Sequence, residues 1–366
     1  MSDLLPTLQP FKSISPSRYF GLEKCVLREA LSANRVSQLL PSSPAKFLGE
    51  VSHSLIEASS RGSIEAGPVP AALRWDELVA SQEASITGPI ERHLVPLKKS
   101  SGRYHIIRAK TLRAAARAYR PRPVTPRPTR PGFGFEIRIT TPDGALSGIV
   151  DSATEEAGAI VIRDYKSGSI FLDKSEETKP EYITQLQLYA VIYWEEFGIW
   201  PTSLQLVPLV GEPVAIEVNP EECQTLAAAA RNRMAAANRQ IATVVETRSR
   251  LEDLATPSPP TCRYCQYRPL CKRYADRRSD SPTLEWPIDI WGVVQSVHEA
   301  PDRRFVICVT QEADGTVITV RRVSGGGRHI NFDAIIPGAR LGIFDLRKEN
   351  APNTYREGAR TTVHLV

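Results

Sequence analysis

Two carboxylates and a lysine stand close together near the middle of the chain. Asp151 closes the segment SGIVD, and thirteen residues later, across one expected hairpin, come Asp164, Tyr165 and Lys166. Alternate side chains of a strand share a face, so Asp164 and Lys166 point the same way, and antiparallel pairing brings Asp151 alongside them. Hard oxygen ligands converging at one place suit Mg²⁺ or Mn²⁺, and an adjacent lysine can orient or activate water for attack on phosphorus. The plainer reading of the same spacing is a surface Asp–Lys ion pair at a strand end. Gln185 and Tyr189, four apart on the helix expected next, share one of its faces. His53, one turn after Gly49 on an early helix, offers a ring nitrogen as a further ligand, or else serves as a structural histidine.

A second group of side chains is built on sulfur. Of six cysteines, Cys262, Cys265 and Cys271 are spaced C-x2-C-x5-C, and Cys25 lies far upstream. The opening residues carry no charged segment followed by an apolar one, so a reducing, cytoplasmic setting is expected, where such spacing means metal ligation rather than disulfides. Spacing alone leaves zinc and an iron-sulfur cluster equally open. Cys223 and Cys308 have no partner in the pattern and are expected to be ordinary buried residues. Arg263, Tyr264, Tyr267 and Arg268 interleave cations and aromatic rings around these cysteines, which suits either packing around the metal or stacking on a single strand.

Charge is unevenly spread. The chain of 366 residues has a formal net charge of +5, yet residues 98–130 hold eleven Lys and Arg and no Asp or Glu. The remainder is therefore net negative. Lys110, Arg113, Arg117 and Arg120 recur at steps of three, four and three, which on a helix makes one basic stripe suited to a polyanion. Hydrophobic residues at 42% and charged residues at 24% exclude global disorder, and no apolar run is long enough to span a membrane.

The elements that must position these side chains follow from periodicity and punctuation. Helices are expected over 15–31, with Ser15 as N-cap and Pro16 at the first position, over 45–60, through the basic stripe, over 180–197 and over 221–247. A Pro/Arg-rich run over 121–131 predicts a stiff connector. Strands over 134–140, 145–152 and 159–165 predict an antiparallel meander, with another strand over 203–210. From 286 onward, short strands over 290–297, 304–311, 316–323, 339–346 and 361–366 predict a separate small all-β barrel, OB-like or SH3-sized. The triple glycine at 325–327 lacks the Lys-Ser/Thr of a phosphate loop and is expected to be a turn or loop tip.

Taken in order, His53, Gly148 to Asp151, Asp164-x-Lys166 and Gln185-x3-Tyr189 resemble the RecB-like branch of the PD-(D/E)xK nuclease superfamily. The upstream cysteine and the C-x2-C-x5-C cluster are similar to the iron-sulfur subgroup of AddB-type and CRISPR-adaptation nucleases. The resemblance covers residues 13–278 and implies an α/β, restriction-endonuclease-like core, with the OB-like barrel of 286–366 appended. It implies Mg²⁺ or Mn²⁺ on His53, Asp151, Asp164 and the carbonyl of Tyr165, with Lys166 catalytic and Gln185 and Tyr189 positioning. It further implies a [4Fe-4S] cluster on Cys25, Cys262, Cys265 and Cys271, clasping the core into one loop.

The function expected is metal-dependent hydrolysis of DNA, by an exonuclease acting on single-stranded DNA or free ends. Lys110, Arg113, Arg117 and Arg120 would track the backbone. A helicase or other DNA-processing protein is the expected partner, since no Walker motif is present in the chain. Two other readings stay open: a catalytically silent nucleic-acid-binding scaffold, and a zinc-stabilised adaptor whose barrel binds protein.

Overall fold

A computed structural model describes residues 7–120, 131–173, 175–281, 283, 285–329 and 331–365. The connector expected over 121–131, with its arginines, lies outside the described residues apart from its last position. The chain enters through a 3-10 turn, Pro16–Arg18, followed by α1 (Tyr19–Lys24) and α2 (Val26–Ala33). The single helix expected over 15–31 is thus broken. Cys25 adopts an extended backbone (φ −167°, ψ 106°) that ends one helix and begins the next. Ser15 does precede Pro16 at the N-cap position, but its side chain makes no capping bond.

Helix α3 (Pro44–Ser60) starts at Ser43, whose hydroxyl accepts from the Ala45 N–H, and it buries Phe47, Leu48, Val51, Leu55 and Ile56 as their spacing predicts. Around it lie α4 (Pro68–Ser85), α5 (Leu97–Ser100) and α6 (Tyr104–Ala118). Two polar contacts fix α6 on α3. The Ser52 and Thr111 hydroxyls meet at 2.8 Å, and Ser59 donates to the Ala115 carbonyl at 2.6 Å.

The sheet beneath these helices begins as the expected meander, β1 (Gly134–Thr140), β2 (Ser147–Glu156) and β3 (Ala159–Lys166). Helix α7 (Pro180–Phe197) then crosses to β4 (Ser203–Pro208), which pairs parallel with β3. A short β5 (Val214–Ile216) completes the order β1-β2-β3-β4-β5. Asp151 is inside β2 rather than at a strand end, because Ala153 pairs with Gly134 on one side and Ile162 on the other, carrying the ladder past it. Helix α8 (Pro220–Thr247), capped by Asn219, packs Ala227, Ala230 and Ile241 into the core shared with α7.

Beyond α8, α9 (Pro259–Cys262) and α10 (Lys272–Asp280) frame the clustered cysteines. The C-terminal region is all-β: β6 (Ile290–Glu299), β7 (Arg304–Gln311), β8 (Val317–Ser324), β9 (Arg340–Phe344), β10 (Arg347–Lys348), β11 (Thr354–Arg356) and β12 (Thr362–Leu365). They form a second mixed sheet, order β10-β11-β8-β7-β6-β9-β12, curled into a half-barrel around Ile307, Val309, Val320 and Ile343. The fold is therefore the expected α/β core with an all-β region added. At the junction, Arg268 is fully buried and donates to Asp289 at 2.8 Å and to the carbonyls of Cys262 and Cys265 at 2.9 and 3.2 Å. Its other terminus pairs with Asp345 at 3.0 Å.

Candidate active site

Four elements carry the sequence-singled residues to one place. β3 presents Asp164 and Lys166 on the face covered by α7, and their charged atoms, Oδ2 and Nζ, lie 2.6 Å apart. From α7, Gln185 bridges the two, accepting from Lys166 Nζ at 2.9 Å and donating to Asp164 Oδ1 at 3.0 Å. Its amide also lies 3.4 Å from the Tyr189 hydroxyl. On β2, Asp151 Oδ2 accepts from the Tyr165 N–H at 2.7 Å and lies 3.8 Å from Nδ1 of His53 on α3. An extended residue points its N–H and C=O to the same strand edge, so the Tyr165 carbonyl faces Asp151 too. The Tyr165 ring turns away into a separate apolar cluster with Ile56 and Leu209.

Two glycines make this convergence possible. A Cβ on Gly148 would come within 2.8 Å of the Tyr189 ring, so α7 could not lie so close over β2. A Cβ on Gly49 would sit 2.9 Å from the Ser167 hydroxyl, holding α3 and His53 off the end of β3.

The electrostatics are unbalanced. Burial pushes Asp151 above the ordinary carboxylate range, while the Tyr165 N–H and the Lys166 charge pull it back. Asp164 is likewise raised by burial, against the pull of Lys166 and with the added push of Asp151. Burial lowers His53, leaving its imidazole uncharged at neutral pH, the state a ligand needs. Among the described residues no three His, Cys, Asp or Glu side chains gather closely enough to enclose one metal ion. Mg²⁺, however, retains several waters and takes one or two carboxylates plus substrate phosphates. Asp151 and Asp164 fit that open mode and do not form a closed cage.

A profile of the PD-(D/E)XK nuclease superfamily matches residues 13–272. The chain belongs to that superfamily. Membership implies metal-dependent nuclease chemistry with divalent ions such as Mg²⁺ or Mn²⁺. No curated protein matches the chain. The matched span takes in His53, Asp151, Asp164, Lys166, Gln185 and Tyr189, and Cys25, Cys262, Cys265 and Cys271.

Sequence reasoning missed Tyr182, whose ring lies 4.8 Å from Lys166 Nζ and holds the ammonium from a third side. The signal was available. Tyr182 is one helical turn before Gln185 and shares its face. Past the end of β3, a cavity of about 400 Å³ opens between Gly49 on α3, Arg103 and Lys110 at α6, and Ser167, the residue after Lys166. The basic stripe divides there. Lys110 faces this cavity and Arg113 is exposed, whereas Arg117 donates to the Leu209 carbonyl at 3.0 Å and lines another cavity with Arg120.

Cys25, Cys262, Cys265 and Cys271 line one further cavity, together with Leu27, Leu31 and Tyr274. Burial pushes the Cys262 and Cys271 thiols up to about 12 and raises Cys265 as well. One zinc ion at about 2.3 Å from each sulfur would require the thiols to be gathered tightly around a point. Among the described residues no such group, for zinc or for any other metal ion, is closed around a point. Of the two remaining cysteines, Cys223 is buried as expected but Cys308 on β7 is only half-buried. Of the interleaved residues, Tyr267 and Arg268 are buried packing, while Arg263 and Tyr264 stay exposed. Among the described residues no helix is long and apolar enough to cross a membrane.

Proposed function

We propose that the chain is a RecB-like deoxyribonuclease acting as an exonuclease on single-stranded DNA or free ends, with a structural [4Fe-4S] cluster. The observation that carries this reading is the Asp164–Lys166–Gln185 network with Asp151 on the adjoining strand, within a chain of the nuclease superfamily. Mg²⁺ or Mn²⁺ on His53, Asp151, Asp164 and the Tyr165 carbonyl supplies Lewis-acid stabilisation of the phosphoryl oxygens. Lys166, held by Gln185 and Asp164 over the Tyr182 ring, keeps its ammonium fixed toward the reacting phosphate and the in-line water. Tyr189 and Gln185 keep Asp164 oriented. Lys110 and Arg113, with Arg103, face incoming backbone phosphates, and Arg117 and Arg120 bind more remote ones.

Four thiols lining one cavity suit the four-thiolate ligation of such a cluster. Such a clasp ties residue 25 to residues 262–271 and stabilises the nuclease domain, 13–278, against the OB-like domain, 286–366. Its expected setting is the cytoplasm, with a helicase as partner.

Anaerobically purified protein, incubated with 5′- and 3′-labelled single-stranded and duplex DNA and Mn²⁺ or Mg²⁺, tests the reading. Cleavage lost in Asp164→Ala is the expected result, and the two labels give its polarity. Intact DNA that nevertheless shifts in a gel overturns it in favour of a silent scaffold. Metal analysis should find iron and sulfide, lost in Cys262→Ser; a colourless protein with stoichiometric zinc refutes the cluster.

A further inference from the structure

A cavity of about 700 Å³ lies away from the carboxylates, where the cysteine loop meets the C-terminal sheet. Its lining includes Arg263 and Tyr264 from the loop, Arg347 and Lys348 of β10, and Arg360. Two carboxylates also line it. Asp345 is already bound by Arg268 and Arg360, and Glu285 is exposed at the rim, so the cations are in excess. Tyr264 is 65% exposed and belongs to no core cluster, in contrast to buried Tyr267 three residues on. The guanidinium groups of Arg263 and Arg360 lie 5.7 and 5.9 Å from its ring centre. An exposed ring flanked by cations matches a stacking platform for nucleobases, with the cations placed for the adjoining phosphates.

Helix α3 runs from this cavity toward the catalytic side. Ser43, at its start, lines this cavity; Ala45 and Gly49 line the cavity past the end of β3; His53 follows on the same helix. Ten residues at 1.5 Å rise place Ser43 about 15 Å from His53 along the helix axis. A stacked strand at about 3.4 Å per nucleotide crosses that distance in four to five nucleotides.

We propose that this cavity binds single-stranded nucleic acid several nucleotides from the scissile bond, stacking one base on Tyr264 with phosphates on Arg263, Arg347 and Lys348. The inference deepens the nuclease reading and rests on it for the strand's path between the two cavities. The test is equilibrium binding of fluorescent oligo(dT) and oligo(rU) of about twenty nucleotides, without divalent metal, to the full chain carrying Asp164→Ala. Adding Tyr264→Ala should weaken binding about tenfold, the scale of one lost stacking contact. Tyr264→Phe should restore it, and Lys348→Ala should reduce the salt slope by about one. Melting temperatures should not move, since both side chains are exposed.

Parent-like affinity and salt slope for Tyr264→Ala and Lys348→Ala, or no binding by the parent, overturn the proposal. The oligonucleotide held more tightly identifies DNA or RNA as the source of the strand. With cleavage assayed separately on the chain that keeps Asp164, metal-dependent cleavage alongside unaltered binding in Tyr264→Ala sinks only this inference, whereas binding lost in Tyr264→Ala with no cleavage by the Asp164-bearing chain sinks only the nuclease reading.

Discussion

Two buried charge clusters in this chain are composed in opposite ways. At the junction, Arg268 and Arg360 face Asp289 and Asp345, two cations against two anions, and Arg268 spends its remaining donors on the backbone carbonyls of the cysteine loop. Tyr274 and the Asp345 N–H complete Asp289 at 2.6 and 2.8 Å. At the carboxylate site, Asp151 and Asp164 share one ammonium, and burial raises both. A cluster whose charges balance holds parts together, even though burial still raises Asp345 there. An unbalanced one is left needing positive charge, which a divalent cation would supply under the proposed function, so charge balance would separate structure from function here.

The sharpest way to break that contrast is Asp151→Asn. The amide oxygen still accepts from the Tyr165 N–H, while a carboxylate disfavoured by burial is removed, so the melting temperature should hold or rise. Cleavage should fall on the order of 10³-fold, the scale of losing one electrostatic group from a preorganised site. Wild-type cleavage, or a lower melting point, would make the site as structural as the junction.

The junction should behave conversely. Arg268→Ala leaves Asp289 buried without a cation and Asp345 with Arg360 alone, and frees the carbonyls of Cys262 and Cys265. Breaking one side of a buried ion pair costs about 3–5 kcal/mol, and denaturant unfolding measures it. The cysteine cavity should loosen with it. Any nuclease activity remaining in folded Arg268→Ala protein should keep the wild-type metal dependence, because no atom of the catalytic network touches Arg268.

Sequence pattern exposes one of these clusters and hides the other. Asp164 and Lys166 are two apart on a strand, and Gln185 and Tyr189 are four apart on a helix whose bounds Pro180 and Gly198 announce, so local periodicity puts each pair on one face, and the resemblance to the nuclease superfamily is what joins the two pairs. Gly49 and Gly148 were visible as neighbours of the motif residues, but the contacts that require them, to Ser167 and Tyr189, exist only across elements. Arg268, Asp289 and Asp345 sit in three separate segments with no shared period. The break at Cys25 is hidden for the same reason. The helical pattern runs straight through it, and only the distant cysteine loop gives the kink a purpose. Strands β5, β10 and β11, two or three residues each, are too short to show alternation.

A third cluster refines the comparison at the smallest scale. Glu357, between β11 and β12, accepts from the Ser324 N–H at 2.7 Å and from His329 at 2.9 Å, and it pairs with Arg328. Burial alone would raise its carboxyl, but the His329 bond, the Arg328 charge and the Ser324 N–H together bring it below the ordinary glutamate range. A carboxyl lowered on folding contributes stability above its unfolded pKa of about 4.3, and that contribution is lost as pH falls through the folded value. The C-terminal sheet should therefore lose about 1–3 kcal/mol in acid, the scale of hydrogen bonds to a charged group. Glu357→Gln should lower stability at neutral pH and flatten that acid slope, as followed by denaturant unfolding across the acid range. The carboxylates of the nuclease site are displaced the opposite way, so Asp151→Asn should leave the acid slope of the C-terminal sheet intact. An acid slope that survives Glu357→Gln, or disappears with Asp151→Asn, would mean that the two regions do not divide their charges as the contacts indicate.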